Sequence, residues 1–210
     1  MGGGVPDPAL TAILVAAGYL AGSVPFGYWL VRALKHDDIR RHGSGNIGAT
    51  NVWRAYGRRL GLSVMALDVL KGLVPALVAT LAVGKLAGVL AGGAAMLGHW
   101  RPLFMGFAKG GKMVATAGGT LLGVAPLVGL ASAGVWILCF VLLRYASAAS
   151  MLAAASIPLL AWAFGEPWPV IGFGVGAAVA VVVLHRTNVR RLLAGTENRF
   201  ELRRRAAAAR

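Results

Sequence analysis

The stretch Gly43-Ser44-Gly45-Asn46-Ile47-Gly48-Ala49-Thr50-Asn51-Val52-Trp53-Arg54 gathers glycines, hydroxyls, amides and an arginine between two strongly apolar segments. Small residues let a backbone come close to a ligand, while Ser, Thr and Asn supply short hydrogen-bonding arms. Arg54 adds a planar cationic fork suited to a phosphate or carboxylate. In so apolar a chain the stretch reads as an anion site at a membrane surface.

Two further polar clusters carry related chemistry. Lys109-Gly110-Gly111-Lys112-Met113-Val114-Ala115-Thr116 stands just before an apolar helical run, where free amides at a helix start favour anions. It is not a Walker A loop, because Met113 follows Lys112 and the glycine spacing fails. His185-Arg186-Thr187-Asn188 is followed by Gly195-Thr196-Glu197-Asn198-Arg199. His185 and Asn188 lie three apart and share a helix face. Their basic surroundings disfavour an imidazolium.

Other polar residues invite plainer readings. Asp68 and Lys71 are three apart within an apolar run, and because each alone is costly in lipid they read as a structural pair. Glu197, in a tail full of arginines, reads as a structural salt bridge. Ser147 and Ser150 follow Arg144-Tyr145 and either cap the next helix or touch a ligand. His99, beside Arg101, reads as structural.

The elements that must hold these clusters are transmembrane helices. Hydrophobic residues make up 58% of the 210 and charged residues only 13%. The mean hydropathy is +0.71. A soluble domain carries about a quarter charged residues. The expected fold is all-α and polytopic, with about seven spans at 8–33, 61–83, 86–106, 113–131, 132–147, 149–165 and 168–186. No room remains for a separate soluble domain, so 1–210 reads as a single membrane domain with a frayed basic tail at 203–210. Pro25, Pro75, Pro126 and Pro158 are expected to kink their helices. The Ala- and Gly-rich runs at 86–97 and 172–180 suit close helix packing in lipid. With the N-terminus outside and the C-terminus cytoplasmic, only Lys85 of the 21 Lys and Arg lies on the outer side. This one-sided distribution fixes the expected orientation and brings all three polar clusters to the cytoplasmic face.

Several classes are excluded. The net charge of +14 follows topology and the attraction of anionic lipid, so no nucleic acid is expected. The first span is a retained helix, not a removed signal peptide. Pro6 occupies the place where myristoylation needs Ser or Thr. The one cysteine, Cys139, cannot form an intramolecular disulfide. No His precedes an Asp by five positions, and no aspartate array is present to hold divalent metals, so neither a metal nor another cofactor is expected.

In order along nearly the whole chain, from Gly22-Ser23-Val24-Pro25-Phe26-Gly27 to Asn198, these motifs resemble the bacterial acyl-phosphate:glycerol-3-phosphate acyltransferase (PlsY) family. The first cluster is the most specific, and it is joined by Leu67–Gly72, Gly98-His99, Lys109–Thr116, Arg144–Ser147 and His185–Glu197. Two departures stand out: Met113 replaces a usual Gly, and Arg101 a usual apolar residue. The resemblance implies a seven-helix enzyme of the bacterial inner membrane with its site on the cytoplasmic side. It would move an acyl chain from acyl phosphate, not acyl-CoA, to the sn-1 hydroxyl of glycerol 3-phosphate, yielding lysophosphatidic acid. A soluble enzyme that makes acyl phosphate is an implied partner. By the same match Ser44, Arg54, His185 and Asn188 are the implied catalytic residues. Gly43, Gly45, Asn46, Thr50, Asn51, Lys109, Gly110, Gly111, Lys112, Thr116 and Ser150 are the implied substrate-binding residues, and Asp68, Lys71 and Glu197 are structural.

The chemistry fits the absence of a strong base. An acyl phosphate is already activated, so holding the reactants in line supplies much of the acceleration. Cationic and amide donors can stabilise the developing charge. The proton acceptor is then either a substrate phosphate oxygen or His185. The competing reading, a transporter of a small phosphorylated anion, calls for midplane polar residues or an inverted repeat. Neither is seen in the sequence.

Overall fold

Proline decides where this apolar chain breaks. In the computed structural model, which describes residues 8–200, the first helix α1 (Pro8–Gly22) stops before Ser23-Val24-Pro25, and α2 (Phe26–Lys35) starts immediately after it. Pro25 has no N–H to continue the ladder. The polar motif that follows contains a short 3₁₀ turn at Ile39–Arg41 and the helix α3 (Ala49–Tyr56). Beyond it run α4 (Arg58–Ala82), α5 (Lys85–Trp100), a 3₁₀ turn at Leu103–Met105, α6 (Val114–Val124) and α7 (Pro126–Leu143). The chain continues through α8 (Ala146–Ala163), α9 (Trp168–Leu184) and α10 (Arg186–Leu193). The Met1-Gly2 and Pro6 positions and the expected frayed tail at 203–210 lie outside the described residues.

The fold is all-helical. Among the described residues four stretches are long and apolar enough to cross a membrane: Pro8–Lys35 taken through its break, Arg58–Ala82, Pro126–Leu143 and Ala146–Ala163. Helices α9 and α10, bent by 60° at His185, make a fifth if read as one broken span. The boundary expected at 131/132 lies instead at Ala125, so the fourth expected span is only the 11-residue α6. At 1.5 Å per residue α6 rises roughly 17 Å, well short of a ~30 Å hydrocarbon core. Pro126 causes this shift by starting α7 in its first turn, where a missing N–H does no harm. Pro25 likewise marks a break, whereas Pro75 and Pro158 stay inside α4 and α8.

Close approach of backbones builds the bundle. Gly18 and Gly22 of α1 face Ala91 and Ala95 of α5, and a Cβ at either glycine would strike the opposing carbonyl. Small residues four apart on both helices bring dispersion and Cα–H contacts within range, the main attraction available in lipid. Leu121, Val124, Val128, Ile157, Val170 and Val181 form a buried core that joins α6 to α9.

Two ion pairs fasten the helices. Lys71 Nζ lies 2.8 Å from Asp68 Oδ1, with both side chains almost fully buried. The same ammonium donates at 2.9 Å to the Val24 carbonyl in the α1–α2 break, which also accepts the Phe26 N–H at 3.1 Å. His99 Nδ1 stands 3.7 Å from Asp68 Oδ1. At the end of the bundle away from the polar motifs, Lys85 Nζ meets Glu166 Oε2 at 2.5 Å and ties the α4–α5 turn to the α8–α9 turn.

Removing one partner of the buried pair strands a charge, at a cost of about 3–5 kcal/mol. Lys71→Met should therefore unfold at markedly lower temperature in detergent. The double variant Asp68→Asn/Lys71→Met should recover part of that loss, and thermal unfolding of the purified proteins measures both.

Candidate active site

The first motif is shaped from within by Asn51, on the buried side of α3. Its Nδ2 donates to the carbonyls of Asn46 at 2.9 Å and His42 at 3.0 Å, and its Oδ1 accepts the Ser44 N–H at 3.1 Å. These bonds hold a tight loop in which Gly43 and Gly45 adopt left-handed φ of 55° and 67°. Asn51 thus acts as a loop builder rather than a free arm for a ligand. From outside, Asp37 braces the same loop: its Oδ2 receives the Tyr56 hydroxyl at 2.8 Å and lies 2.8 Å from His42 Nε2. The Tyr56 bond above all, with that of the Asp38 N–H, holds the Asp37 carboxyl below its usual range. Ser44 remains exposed at the loop's rim.

The second cluster leans on the end of α5. The Gly110 N–H donates to the Trp100 carbonyl and the Gly111 N–H to the His99 carbonyl, each at 2.9 Å. Both glycine amides thus cap a helix C-terminus and are not free for an anion. Gly111 lies flat on the His99 ring, and a Cβ there would collide with Nε2. Asn46 Nδ2 donates to the Gly110 carbonyl at 3.1 Å, joining this loop to the first motif. Met113 then caps α6 with φ at 68°, a left-handed turn that glycine enters freely and methionine does not. That geometry explains why a glycine suits this position. Methionine is held there by burial against Met96, Ala117 and Ala177.

The third cluster closes the site around one carboxylate. Glu197 Oε1 accepts from Ser147 Oγ at 2.8 Å and Asn188 Nδ2 at 2.7 Å, and its Oε2 accepts from Arg191 Nε at 2.7 Å. Burial works against its charge, but the bonds from Arg191, Asn188 and Ser147 outweigh it and keep the carboxyl below its ordinary value. With its Nδ2 so held, Asn188 turns its Oδ1 to Lys112 Nζ, which donates to it. Burial first, then the nearby Arg191, Lys109 and Arg54, push the Lys112 ammonium down to about 8, against the pull of Glu197. Arg54 donates to the Asn198 carbonyl at 2.8 Å and lies over the Phe200 ring at 4.5 Å.

His185 sits at the α9–α10 bend with its Nδ1 2.7 Å from the Val181 carbonyl. A carbonyl can only accept, so in the neutral ring Nδ1 carries the proton and Nε2 keeps its lone pair. Lys112 and Glu197 are its charged neighbours.

Arg54, Lys109, Lys112, Asn188 and His185 therefore share one electrostatic neighbourhood, linked through Asn46 to the loop that carries Ser44. Other expected site residues lie apart. Ser150 bonds the Ala146 carbonyl at 2.7 Å and the Trp136 indole at 3.1 Å, inside the α7–α8 contact. The Thr116 hydroxyl is fully buried without a partner, and no hydrogen bond of the Thr50 side chain is observed. Arg191 was not singled out by the sequence, where it is one basic residue among many. Its place three residues after Asn188 on one helix face was the available signal. Among the described residues, no three His, Cys, Asp or Glu side chains gather as a metal site.

A helical fold with several helices long and apolar enough to cross a membrane, and a cationic, amide-rich cluster at one end, is the architecture of an integral membrane protein. Residues 12–195 match the glycerol-3-phosphate acyltransferase family, and the chain belongs to it. The glycerol-3-phosphate acyltransferase of Geobacter sulfurreducens is 48% identical over 190 residues, covering 90% of this chain and 97% of that protein. The corresponding protein of a Synechococcus strain is 45% identical over 200 residues, covering 92% and 96%. Among solved structures, the glycerol 3-phosphate form of PlsY (YgiH), an integral membrane glycerol 3-phosphate acyltransferase, superposes with a TM-score of 0.87. It is 43% identical, over 91% of this chain and 96% of that one. The lysophosphatidic acid form of PlsY gives 0.84 at 41% identity over the same shares.

The seating of Gly111 on His99 makes a reciprocal test. Gly111→Ala should force the loop off the ring and lower acyltransferase activity at least tenfold. His99→Ala/Gly111→Ala removes the obstacle and should regain part of the loss, as initial rates at matched protein level would record.

Proposed function

We propose that this protein transfers a fatty acyl group from acyl phosphate to the sn-1 hydroxyl of glycerol 3-phosphate, giving lysophosphatidic acid and phosphate. The observation that carries the reading is the convergence of Lys112, Arg54 and Asn188 beside the bare Nε2 of His185. The two ligand forms of the solved PlsY structures supply the acceptor and product chemistry. The hydroxyl oxygen attacks the acyl carbonyl carbon while its proton passes to His185 Nε2. The bond from that carbon to the phosphate oxygen then breaks, and phosphate leaves. Lys112 holds the glycerol 3-phosphate phosphate. Arg54 and the exposed Ser44 stabilise the charge that develops on the oxyanion and the departing phosphate. The donor is already activated, which suits a site with no stronger base.

We also read the chain as crossing a bacterial inner membrane seven times, with the N-terminus outside and the site at the cytoplasmic face. Connections of one to four residues between α4 and α5, α6 and α7, α7 and α8, and α8 and α9 support this count, as does the collection of Lys and Arg in the segments 34–60 and 107–112. A site on that side can be fed by a soluble enzyme that makes acyl phosphate.

One experiment tests donor and orientation together. Sealed inverted membrane vesicles, given glycerol 3-phosphate outside, should turn over palmitoyl phosphate but not palmitoyl-CoA, and right-side-out vesicles should be inactive with either. Equal rates with the thioester would overturn the donor, and activity in right-side-out vesicles would overturn the orientation.

Lys112 gives a second test through its depressed pKa, since it binds phosphate only while charged. The apparent KM for glycerol 3-phosphate should be level in weakly acidic buffer and climb as pH rises through about 8. Lys112→Arg should abolish that climb, because a guanidinium stays protonated there. Lys112→Ala should raise KM roughly ten- to a hundred-fold at neutral pH, the equivalent of a charge-assisted hydrogen bond of about 1.5–3 kcal/mol. A steady-state pH profile of the three proteins decides it.

A further inference from the structure

Residues 197–200 follow α10 and bond to four helices or their ends. Glu197 holds Ser147 at the start of α8, and Asn188 and Arg191 on α10. The Asn198 carbonyl accepts from Arg54 of α3 at 2.8 Å. The Arg199 guanidinium stands 5.9 Å from the centre of the Tyr145 ring. The Phe200 N–H donates at 2.8 Å to the carbonyl of Arg144, the residue that ends α7. Phe200 is the most engaged of them. Its half-buried ring meets Trp53 of α3 edge to face at 5.8 Å and Phe140 of α7 at 5.2 Å, and Phe140 stacks on Trp136 at 4.9 Å. A row of four rings thus runs from α7 to α3, and the C-terminal segment supplies the ring that joins them. Over that ring, at 4.5 Å, lies the Arg54 guanidinium.

We propose that Phe200 is a positioning residue for acyl transfer: wedged between Trp53 and Phe140, it holds the Arg54 guanidinium in the orientation that meets the charge of the reacting groups. The inference rests on the part given to Arg54 under the proposed function and names what keeps that side chain in place. Arg54 is exposed on a short helix, and an exposed arginine samples many rotamers that binding must then restrict. Two contacts of different kinds restrict it in advance. The Asn198 carbonyl takes a hydrogen of Nη2 and fixes one edge of the guanidinium, and the Phe200 ring fixes its plane. An edge and a plane together define the orientation of a flat group.

The chemistry of the brace explains why it is aromatic. A ring attracts a cation through the negative charge of its face and uses none of the N–H groups. A carboxylate in the same place would form a two-pronged pair and consume the donors that an anion needs. Among the described residues Arg54 makes no hydrogen bond besides that to Asn198, so its remaining N–H groups are left for substrate. The ring itself cannot drift, because the Arg144 carbonyl holds its backbone while Phe140 and Trp53 hold two of its sides. Asn198 and Phe200 lie past residue 195, where the match to the acyltransferase family ends. The brace is therefore supplied from outside the matched region.

The test is a double-mutant cycle between Phe200 and Arg54. Purified wild type, Phe200→Leu, Phe200→Tyr, Arg54→Lys and Arg54→Lys/Phe200→Leu are assayed over a range of glycerol 3-phosphate. The donor, at saturation, is whichever of palmitoyl phosphate and palmitoyl-CoA the wild type turns over. Phe200→Leu keeps an apolar side chain but loses the ring. It should lower kcat about tenfold, as expected when a catalytic group is misplaced, and leave the KM for glycerol 3-phosphate within about twofold, because Lys112 holds that phosphate. Phe200→Tyr restores a ring face and should keep kcat within about twofold of the wild type. Arg54→Lys should itself lower kcat, and adding Phe200→Leu should then cost less than about twofold more, because no guanidinium plane is left to orient.

A loss of kcat that is repeated in full in the Arg54→Lys background would mean that Phe200 serves the fold alone, and it overturns the proposal. An unchanged kcat in Phe200→Leu, or a loss carried by KM, overturns it as well. Arg54→Lys separates this inference from the reading beneath it. Lowered kcat there beside an unchanged Phe200→Leu removes the brace and leaves the part of Arg54 standing, whereas an unchanged kcat in Arg54→Lys removes both. If Phe200→Leu does not fold, the same cycle with Phe200→Met decides the matter, since the flexible methionine side chain fills irregular space that leucine does not.

Discussion

Hydrocarbon offers no partner to a peptide group, so every break in a membrane helix must be repaired by the protein itself. Much of this structure follows from that constraint. The α1–α2 break leaves the Val24 carbonyl outside the helical ladders, and the buried Lys71 ammonium, paired with Asp68, joins the Phe26 N–H in donating to it. The end of α5 frees the carbonyls of His99, Trp100 and Arg101. The first two are taken by Gly111 and Gly110, the third by the Tyr19 hydroxyl at 2.9 Å. The glycine loop is thus fixed in place by repair of the helix it follows. Because the loop is fixed, Lys112 emerges from it in a position to meet Asn188.

The same logic assigns the polar residues two kinds of work. Asn51 and Asp37 shape the first loop, Glu197 gathers α8, α10 and the C-terminal segment, and the groups they leave free point to one place. Glu197 illustrates how a structural residue governs chemistry. By occupying the amide nitrogen of Asn188 it determines that the amide oxygen faces Lys112. It also draws in Arg191, whose charge lowers the Lys112 pKa while the Glu197 carboxylate itself pulls the other way. The site is cationic, yet it is organised around an anion.

Residue type and spacing made the three clusters and the family legible in the sequence, because an amide-rich stretch in an apolar chain has few other uses. Asp68 and Lys71 were equally readable, since two opposite charges three residues apart in lipid must meet. The α6–α7 boundary was not, because the Gly- and Ala-rich run on either side of Pro126 has no polar marker and proline permits either a kink or a helix start. Nor was the task of Gly110 and Gly111. Their amides serve carbonyls at the end of α5, a bond set by tertiary placement and invisible to local pattern. The same holds for Asn51 and Ser150, whose types suited a ligand but whose partners turned out to be backbone and an indole. Fewer of the described helices are long enough to cross a membrane alone than the apolar blocks suggested, because α5, α6 and α9 have only 16, 11 and 17 residues.

The pairing of Lys85 with Glu166 leaves the far end of the described bundle without an unbalanced charge, while the other end carries Arg40, Arg41, Arg58, Arg59, Lys109 and Arg190. At about 2.5–3.5 kcal/mol for each Lys or Arg at the bilayer centre, carrying six across comes to roughly 15–20 kcal/mol before any bond is broken. The other Lys and Arg at that end and the loss of helix packing add to this barrier, and together they make turning over in the bilayer negligibly slow on the timescale of a cell generation. The sidedness acquired at insertion is therefore kinetically permanent. A preparation reconstituted in both directions will remain two separate, non-exchanging populations.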